Sequence, residues 1–134
     1  MSIIIKDIKE FTEKELEELF LSVQWSSGKY PDRLKIAMKN SDKVYSAWDG
    51  NRLIGLMNAL SDGIMTAYFH FLLVHPDYHH QGVGKMLVSA MLKHYETFAR
   101  KVLIAYNKEL RFYKSCGFEP ADDKTPMFIT YLTT

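Results

Sequence analysis

Two glycines just ahead of an amphipathic run pose the first chemical question in this chain. The segment His79-His80-Gln81-Gly82-Val83-Gly84-Lys85 follows a long apolar and aromatic stretch. Glycine there lets the backbone approach a ligand closely, and the free N–H groups of a first helical turn, with the helix dipole behind them, favour an anion. A phosphate or diphosphate fits that chemistry; the alternative is a tight turn with no ligand. Spacing excludes two common phosphate motifs. A dinucleotide-binding Gly-x-Gly-x-x-Gly needs glycine at Leu87, and a Walker loop needs glycine at His79 and Ser or Thr at Met86.

Other residue types invite chemistry less specifically. His75, His79 and His80 suggest a metal, but Pro76 keeps His75 and His79 off one regular helix and no carboxylate-rich second set accompanies them. We therefore read them as solvated loop histidines near a phosphate, and expect no metal. Cys116 is the only cysteine, which excludes an internal disulfide and a Cys-based zinc site and suits a reducing compartment, the cytoplasm being the simplest. It lies at a helix end with no base adjacent in sequence, so packing is its expected role.

The elements that must position these residues follow from local pattern. Residues 2–8 read as a strand, and Thr12 with Glu15 forms a capping box opening a helix with Leu16, Leu19, Phe20 and Val23 on one face. Pro31 suits the first position of a second helix carrying Leu34, Ala37 and Met38. Residues 43–48 and 52–60 form two strands around Asp49-Gly50-Asn51, a strong hairpin signal. A strand over 65–74 stops at Pro76, and Val83, Met86, Leu87, Ala90, Met91 and Tyr95 line a helix. Residues 101–106 give another strand, Asn107 can cap a helix that Gly117 ends, and residues 127–132 supply a last strand. Strict alternation in the strand before Pro76 puts Tyr68, His70, Leu72 and Val74 on one face and Phe69, Phe71, Leu73 and His75 on the other.

Composition narrows the classes. With 134 residues, 47% hydrophobic and 25% charged, one domain spanning 1–134 can bury a sufficient core unaided. Seventeen basic against sixteen acidic side chains leave +1, so no overall field recruits nucleic acid or an anionic membrane. No apolar run reaches the ~18 residues of a membrane span, and Lys6 and Asp7 interrupt the N-terminal one before a signal-peptide core forms.

The chain resembles the GNAT superfamily of acyl-CoA N-acyltransferases. The resemblance is carried by Leu72-Leu73-Val74-His75-Pro76-Asp77-Tyr78 running into the glycine loop, and by Phe112-Tyr113-Lys114-Ser115-Cys116-Gly117-Phe118. These match the superfamily's strand, its Gln/Arg-x-x-Gly-x-Gly/Ala loop, and its Phe-Tyr-x-x-x-Gly-Phe helix end. The resemblance implies an α/β (α+β) single-domain GNAT fold, a mixed, mostly antiparallel sheet of about seven strands with helices on both faces. It implies acetyl-CoA as co-substrate, with pyrophosphate on His79, His80, Gln81, Gly82, Val83, Gly84 and Lys85. Pantetheine would enter a V-shaped opening beside the backbone of Leu72, Leu73 and Val74, and Asn107 and Phe112 would complete the cofactor contacts. His79 stands where Gln or Arg is usual; because the loop binds through backbone N–H groups, altered affinity or pH dependence is expected rather than loss.

Tyr113 falls on the tyrosine that donates a proton to the departing thiolate, a role a phenol of pKa about 10 can fill at pH 7; the alternative is packing beside Phe112. His70, with Tyr68 on the same face, matches one histidine of the pair in animal arylalkylamine N-acetyltransferases and could act as base directly or through water. A structural histidine, with water alone as base, is the competing reading. Trp25 and Tyr30 fall in the segment that covers the acceptor, where they could line a channel or simply pack over the core. Val23-Gln24-Trp25 with the run from Pro31 to Ser41 resembles the plastid and cyanobacterial serotonin N-acetyltransferase subgroup. The function implied is acetyl transfer to a primary amine, either a small arylalkylamine or other amine or a protein lysine or N-terminus. A homodimer through residues 127–132 is the assembly implied. The rivals are a domain that senses acyl-CoA without turnover and a nucleotide-binding domain unrelated to CoA.

Overall fold

The structure, a computed structural model, describes residues 2–134. Thr12 opens α1 (Glu13–Ser22) with a complete capping box: its hydroxyl accepts the Glu15 N–H at 3.1 Å, and the Glu15 carboxylate accepts the Thr12 N–H at 2.8 Å. Two otherwise orphaned donors are thereby satisfied. Pro31 starts α2 (Pro31–Asn40) at a position where its missing N–H costs nothing. Between them, residues Ser26–Lys29 make a single 3-10 turn.

β1 (Ile3–Lys6), β2 (Lys43–Asp49), β3 (Arg52–Ser61), β4 (Thr66–Val74) and β5 (Arg100–Leu103) form one sheet in sequence order. Every neighbour is antiparallel except β4 and β5, which are parallel and joined by the crossover helix α3 (Val83–His94). β2 and β3 meet around Gly50-Asn51, with Asp49 opposite Arg52. Seven consecutive residues of β3, Leu53 to Ala59, are buried, as expected of a central strand covered on both faces. A short helix, α4 (Leu110–Ser115), completes the chain's regular structure. Among the described residues no helix is long and apolar enough to cross a membrane.

The core divides into two clusters, one on each side of the sheet. On one side α1 and α2 bring Leu16, Leu19, Phe20, Leu34 and Met38 onto Val44, Leu56, Phe71 and Leu73. Phe20 meets Phe71 edge to face, centroids 4.9 Å apart at 90°, worth about 1 kcal/mol beyond the area it buries. On the other side α3 sets Val83, Leu87, Val88, Met91 and Tyr95 against Ala47, Ile54, Met57, Ala59, Ala67 and Phe69.

β4 contributes to both clusters because it is bulged. Met57 pairs with Leu72 and Ala59 with Phe69, so Asn58 alone faces two residues, His70 and Phe71. The extra residue reverses the phase of the strand. Ala67 and Phe69 lie on the α3 side, Phe71 and Leu73 on the α1/α2 side, and Leu72 and Val74 pack back against the α3 cluster. The strict alternation read from sequence therefore fails at His70, and Leu72 and Val74 do not share the face of Tyr68 and His70.

Three other expectations are corrected. The sheet has five strands, not about seven, because residues 127–132 pair with no strand: Met127 is 91% exposed, and the segment leads to Thr133 and Thr134, which bond back to the α1–α2 connection. There the Ser27 N–H donates to Thr134 O at 2.7 Å and the Thr133 N–H to Ser26 Oγ at 2.8 Å. β-Propensity yields a strand only where pairing with a sheet edge forms, and among the described residues the outer edge of β5 has no strand partner. β5 also ends at Leu103, short of Tyr106. Asn107 opens a 3-10 turn (Asn107–Glu109) instead of capping α4, although Gly117, at φ 102°, follows the helix end as expected.

Replacing Thr12 by Ala should cost about 1 kcal/mol and lower Tm by a few degrees in calorimetry. An unchanged Tm would mean the capping box contributes nothing to stability.

Candidate active site

At the mouth of α3 the cap is Gly82, in the left-handed conformation at φ 79° and without a side-chain capping bond. The Met86 N–H bonds to Gly82 O at 3.0 Å, so Val83, Gly84 and Lys85 carry the N–H groups with no intrahelical acceptor. Side chains of the preceding loop turn back onto their own chain. The His79 Nε2–H donates to Val74 O at 2.7 Å, Gln81 Nε2 to Asp77 O at 3.4 Å, and the Tyr78 hydroxyl to Asp49 Oδ2 at 2.5 Å. His80 and Lys85 remain exposed beside the free backbone N–H groups. Gly84 allows close approach: a Cβ there would sit 3.3 Å from Phe112 Cζ, tight enough that the ring of α4 would have to shift. These residues fit a phosphate group through N–H donors and the dipole of a twelve-residue helix.

Pairing between β4 and β5 stops at Phe69 with Leu103, whereas β4 continues to Val74 bonded only to β3. Beyond the bulge its other edge is open. This is the split expected from the resemblance, and it begins where the extra residue interrupts β4. His79 already occupies the Val74 carbonyl, tying the end of that edge to the glycine loop. Here lies a physical use for the histidine that replaces Gln or Arg.

On the α1/α2 side, a cavity of about 340 Å³ is lined by Tyr30, Leu34, Leu60, His70, Phe71 and Tyr131 among others, mostly apolar groups. His70 lies against Phe71, ring centroids 4.2 Å apart, and its Nδ1 is 2.9 Å from the Tyr68 hydroxyl. Loss of water around the imidazole pushes its pKa down, and burial pushes the Tyr68 phenol up. His70 is therefore neutral at pH 7. Tyr30 lines the cavity, whereas Trp25 packs between Phe20 and Phe71, both centroids at 6.1 Å, and supports the wall from behind.

Tyr113 lies on α4, half-buried between Phe112 and Phe118, and Phe118 in turn packs on Phe69. Burial first, then the nearby Glu109 and Cys116 charges, push the phenol up to about 12, so it holds its proton throughout the neutral range. Cys116 packs against the α3 cluster. Among the described residues no three His, Cys, Asp or Glu side chains converge as metal ligands; the His75 Nδ1 is engaged by the Asp77 N–H at 3.1 Å.

The structure thus groups the candidates in two sets. The loop His79 to Lys85, the β4 edge at Leu72, Leu73 and Val74, and Phe112 and Tyr113 lie toward α3. His70 and Tyr30 line the cavity on the opposite side, with Tyr68 bonded to His70. Asn58, Leu60, Phe71 and Tyr131 escaped the sequence reading as cavity residues. Only Asn58 left a signal: it is the lone polar residue in the apolar run from Leu53 to Leu60.

The sequence profile of the acetyltransferase (GNAT) domain matches residues 40–120. Over 110 residues the chain is 36% identical to an uncharacterised N-acetyltransferase, ycf52, of Gracilaria tenuistipitata var. liui, covering 78% of this chain and 60% of that one. A ycf52-like N-acetyltransferase of Prochlorococcus marinus is 34% identical over 110 residues, covering 78% and 61%. The chain thus spans about three fifths of the length of these relatives. Among solved structures, a GNAT family acetyltransferase from Streptococcus pneumoniae superposes with a TM-score of 0.84 at 27% identity, over 97% of this chain and 99% of that one. A profile covering more than half of the residues, the β4–β5 split and the glycine-capped α3 agree, and the chain belongs to the GNAT acetyltransferase family.

Proposed function

We propose that this chain moves an acetyl group from acetyl-CoA to a primary amine by direct attack while both substrates are bound. The observation that supports the reading most is the open edge of β4, bounded by the donor-rich mouth of α3 at one end and by His70 and its cavity at the other. N–H groups of Val83, Gly84 and Lys85 take the pyrophosphate. The open backbone of Leu72 and Leu73 pairs with the pantetheine amides as a short added strand would. The acceptor occupies the cavity, whose mostly apolar lining suits an amine with an aromatic or alkyl body.

Acetyl transfer forms a C–N bond, breaks the C–S bond and releases one proton. An alkylammonium of pKa about 10.4 must first lose a proton. His70, neutral at pH 7, takes the amine proton directly or through water, and Tyr113 gives its proton to the departing thiolate. The raised pKa keeps the phenol protonated before transfer, and the nitrogen proton that His70 accepts returns through solvent to Tyr113, so CoA leaves as the thiol and the only net proton released is that of the ammonium. The acceptor could be a small arylalkylamine, another amine, or a protein lysine or N-terminus.

Thermal shift with acetyl-CoA, dephospho-CoA, NAD and ATP, followed by thiol release over an amine panel, tests the reading. Stabilisation by acetyl-CoA and turnover with an apolar amine are expected; stabilisation without turnover would favour an acyl-CoA sensor, and no response to any CoA species would end the proposal. Tyr113→Phe should reduce kcat about a hundredfold with little change in acetyl-CoA affinity, and unchanged kcat removes the acid role. For His70 the active form is the neutral one, so with a depressed pKa the rate should fall only as pH drops through a value below the usual ~6.5. That acid limb should vanish in His70→Gln; its persistence would assign the base to another group.

A further inference from the structure

The side chain of Asn58 is 2% exposed and entirely committed to other elements of the fold. Its Oδ1 accepts the Phe71 N–H at 2.8 Å, and its Nδ2 donates to Ser41 Oγ at 3.1 Å. Ser41 Oγ donates onward to Ala37 O of α2 at 2.8 Å. The Phe71 N–H is the donor that the β4 bulge leaves without a ladder partner. A buried N–H without an acceptor costs about 1–3 kcal/mol, so the carboxamide is what makes this bulge tolerable inside a central part of the sheet.

The bulge also decides where His70 points. Because two β4 residues share the position opposite Asn58, His70 and Phe71 both face the α1/α2 side, and both line the cavity with Asn58 itself. A regular β4 would send one of them to the α3 face, where Met57, Ala59 and Phe69 are already packed. Through Ser41 the same carboxamide ties the bulge to α2, which supplies Arg33, Leu34 and Ala37 to the other wall.

From this arrangement, and resting on the acetyl-transfer reading above, we infer that Asn58 is a positioning residue for the reaction: it holds the β4 bulge that aims His70 into the acceptor cavity and fixes the distance from His70 to α2. Asn58 touches no reacting atom; it acts through His70. The titratable and charged groups that share this environment are Tyr68 on β4, Tyr30 and Arg33 across the cavity, and Tyr131 on the C-terminal segment, with no carboxylate among the described lining residues. Asn58 is uncharged, so removing it changes His70 through geometry and hydration.

The test compares the wild type with Asn58→Ala, Asn58→Asp, which keeps an acceptor for the Phe71 N–H, and Ser41→Ala, which removes only the outer link. The first readout is the imidazole titration of His70 by NMR in the free protein, which requires no substrate. The second is kcat and KM for acetyl-CoA. In Asn58→Ala the His70 midpoint should move toward its ordinary value and kcat should fall about tenfold or more, with KM for acetyl-CoA within about threefold. Asn58→Asp should restore the Phe71 amide chemical shift toward that of the wild type, and Ser41→Ala should shift the His70 midpoint in the same direction by less. An unchanged His70 titration in Asn58→Ala would overturn the inference, as would an unchanged one in Ser41→Ala if the first variant does not fold. If no amine is turned over by the wild type, the acetyl-transfer reading fails while the NMR arm still reports whether Asn58 sets His70.

Discussion

A single inserted residue in β4 is the constraint on which the site depends. In a strand the side-chain period is two, so adding one residue transfers everything beyond it to the opposite face. Before the bulge, Ala67 and Phe69 feed the α3 cluster; after it, Phe71 and Leu73 feed the α1/α2 cluster, and Leu72 and Val74 take their place beneath α3. One strand thus builds both halves of the core. The same residue marks the point where β4 loses β5 as a neighbour, so the opening of the sheet and the presentation of His70 arise from one local event.

The glycine loop, the candidate anion site, is held separately. Its donors belong to the first turn of α3, and its shape comes from bonds that lead away from any ligand: His79 to Val74, Tyr78 to Asp49, Gln81 to Asp77. Such a loop is preorganised, which spares a ligand the cost of ordering it. Phe112 against Gly84 couples it to α4, and α4 carries Tyr113. The glycine loop and Tyr113 therefore share the α3 side, while the cavity and His70 share the other, with the open edge of β4 between them.

Desolvation is the leading cause of the pKa shifts on both sides, alone at His70 and Tyr68 and joined at Tyr113 by the Glu109 and Cys116 charges. Burial lowers His70 and raises Tyr68 and Tyr113, in each case favouring the neutral form. A neutral imidazole can accept a proton and a neutral phenol can donate one, the states that the proposed reaction requires. On the cavity side, Trp25, Phe20 and Phe71 support one another, and the His70 ring rests on Phe71.

Local signals in the sequence were sufficient wherever one residue type has one physical use. Thr12 with Glu15 marked the start of α1, Pro31 that of α2, Asp49-Gly50 the hairpin, and Gly82 the start of α3, because capping, fixed φ and positive φ are properties of neighbouring residues. The family, too, was legible in the two motifs around Val74 and Tyr113. Tertiary structure decided what depends on partners distant in sequence. Residues 127–132 have a strand's composition but no strand, since their hydrogen bonding rests on what an edge offers. Trp25 and Tyr30 looked equivalent, and only packing assigned one to the wall's support and the other to its surface. The phase of β4 was hidden as well: a bulge is fixed by the register of two strands and by a side chain twelve residues before His70, Asn58, whose single signal was a polar residue where everything around it is apolar.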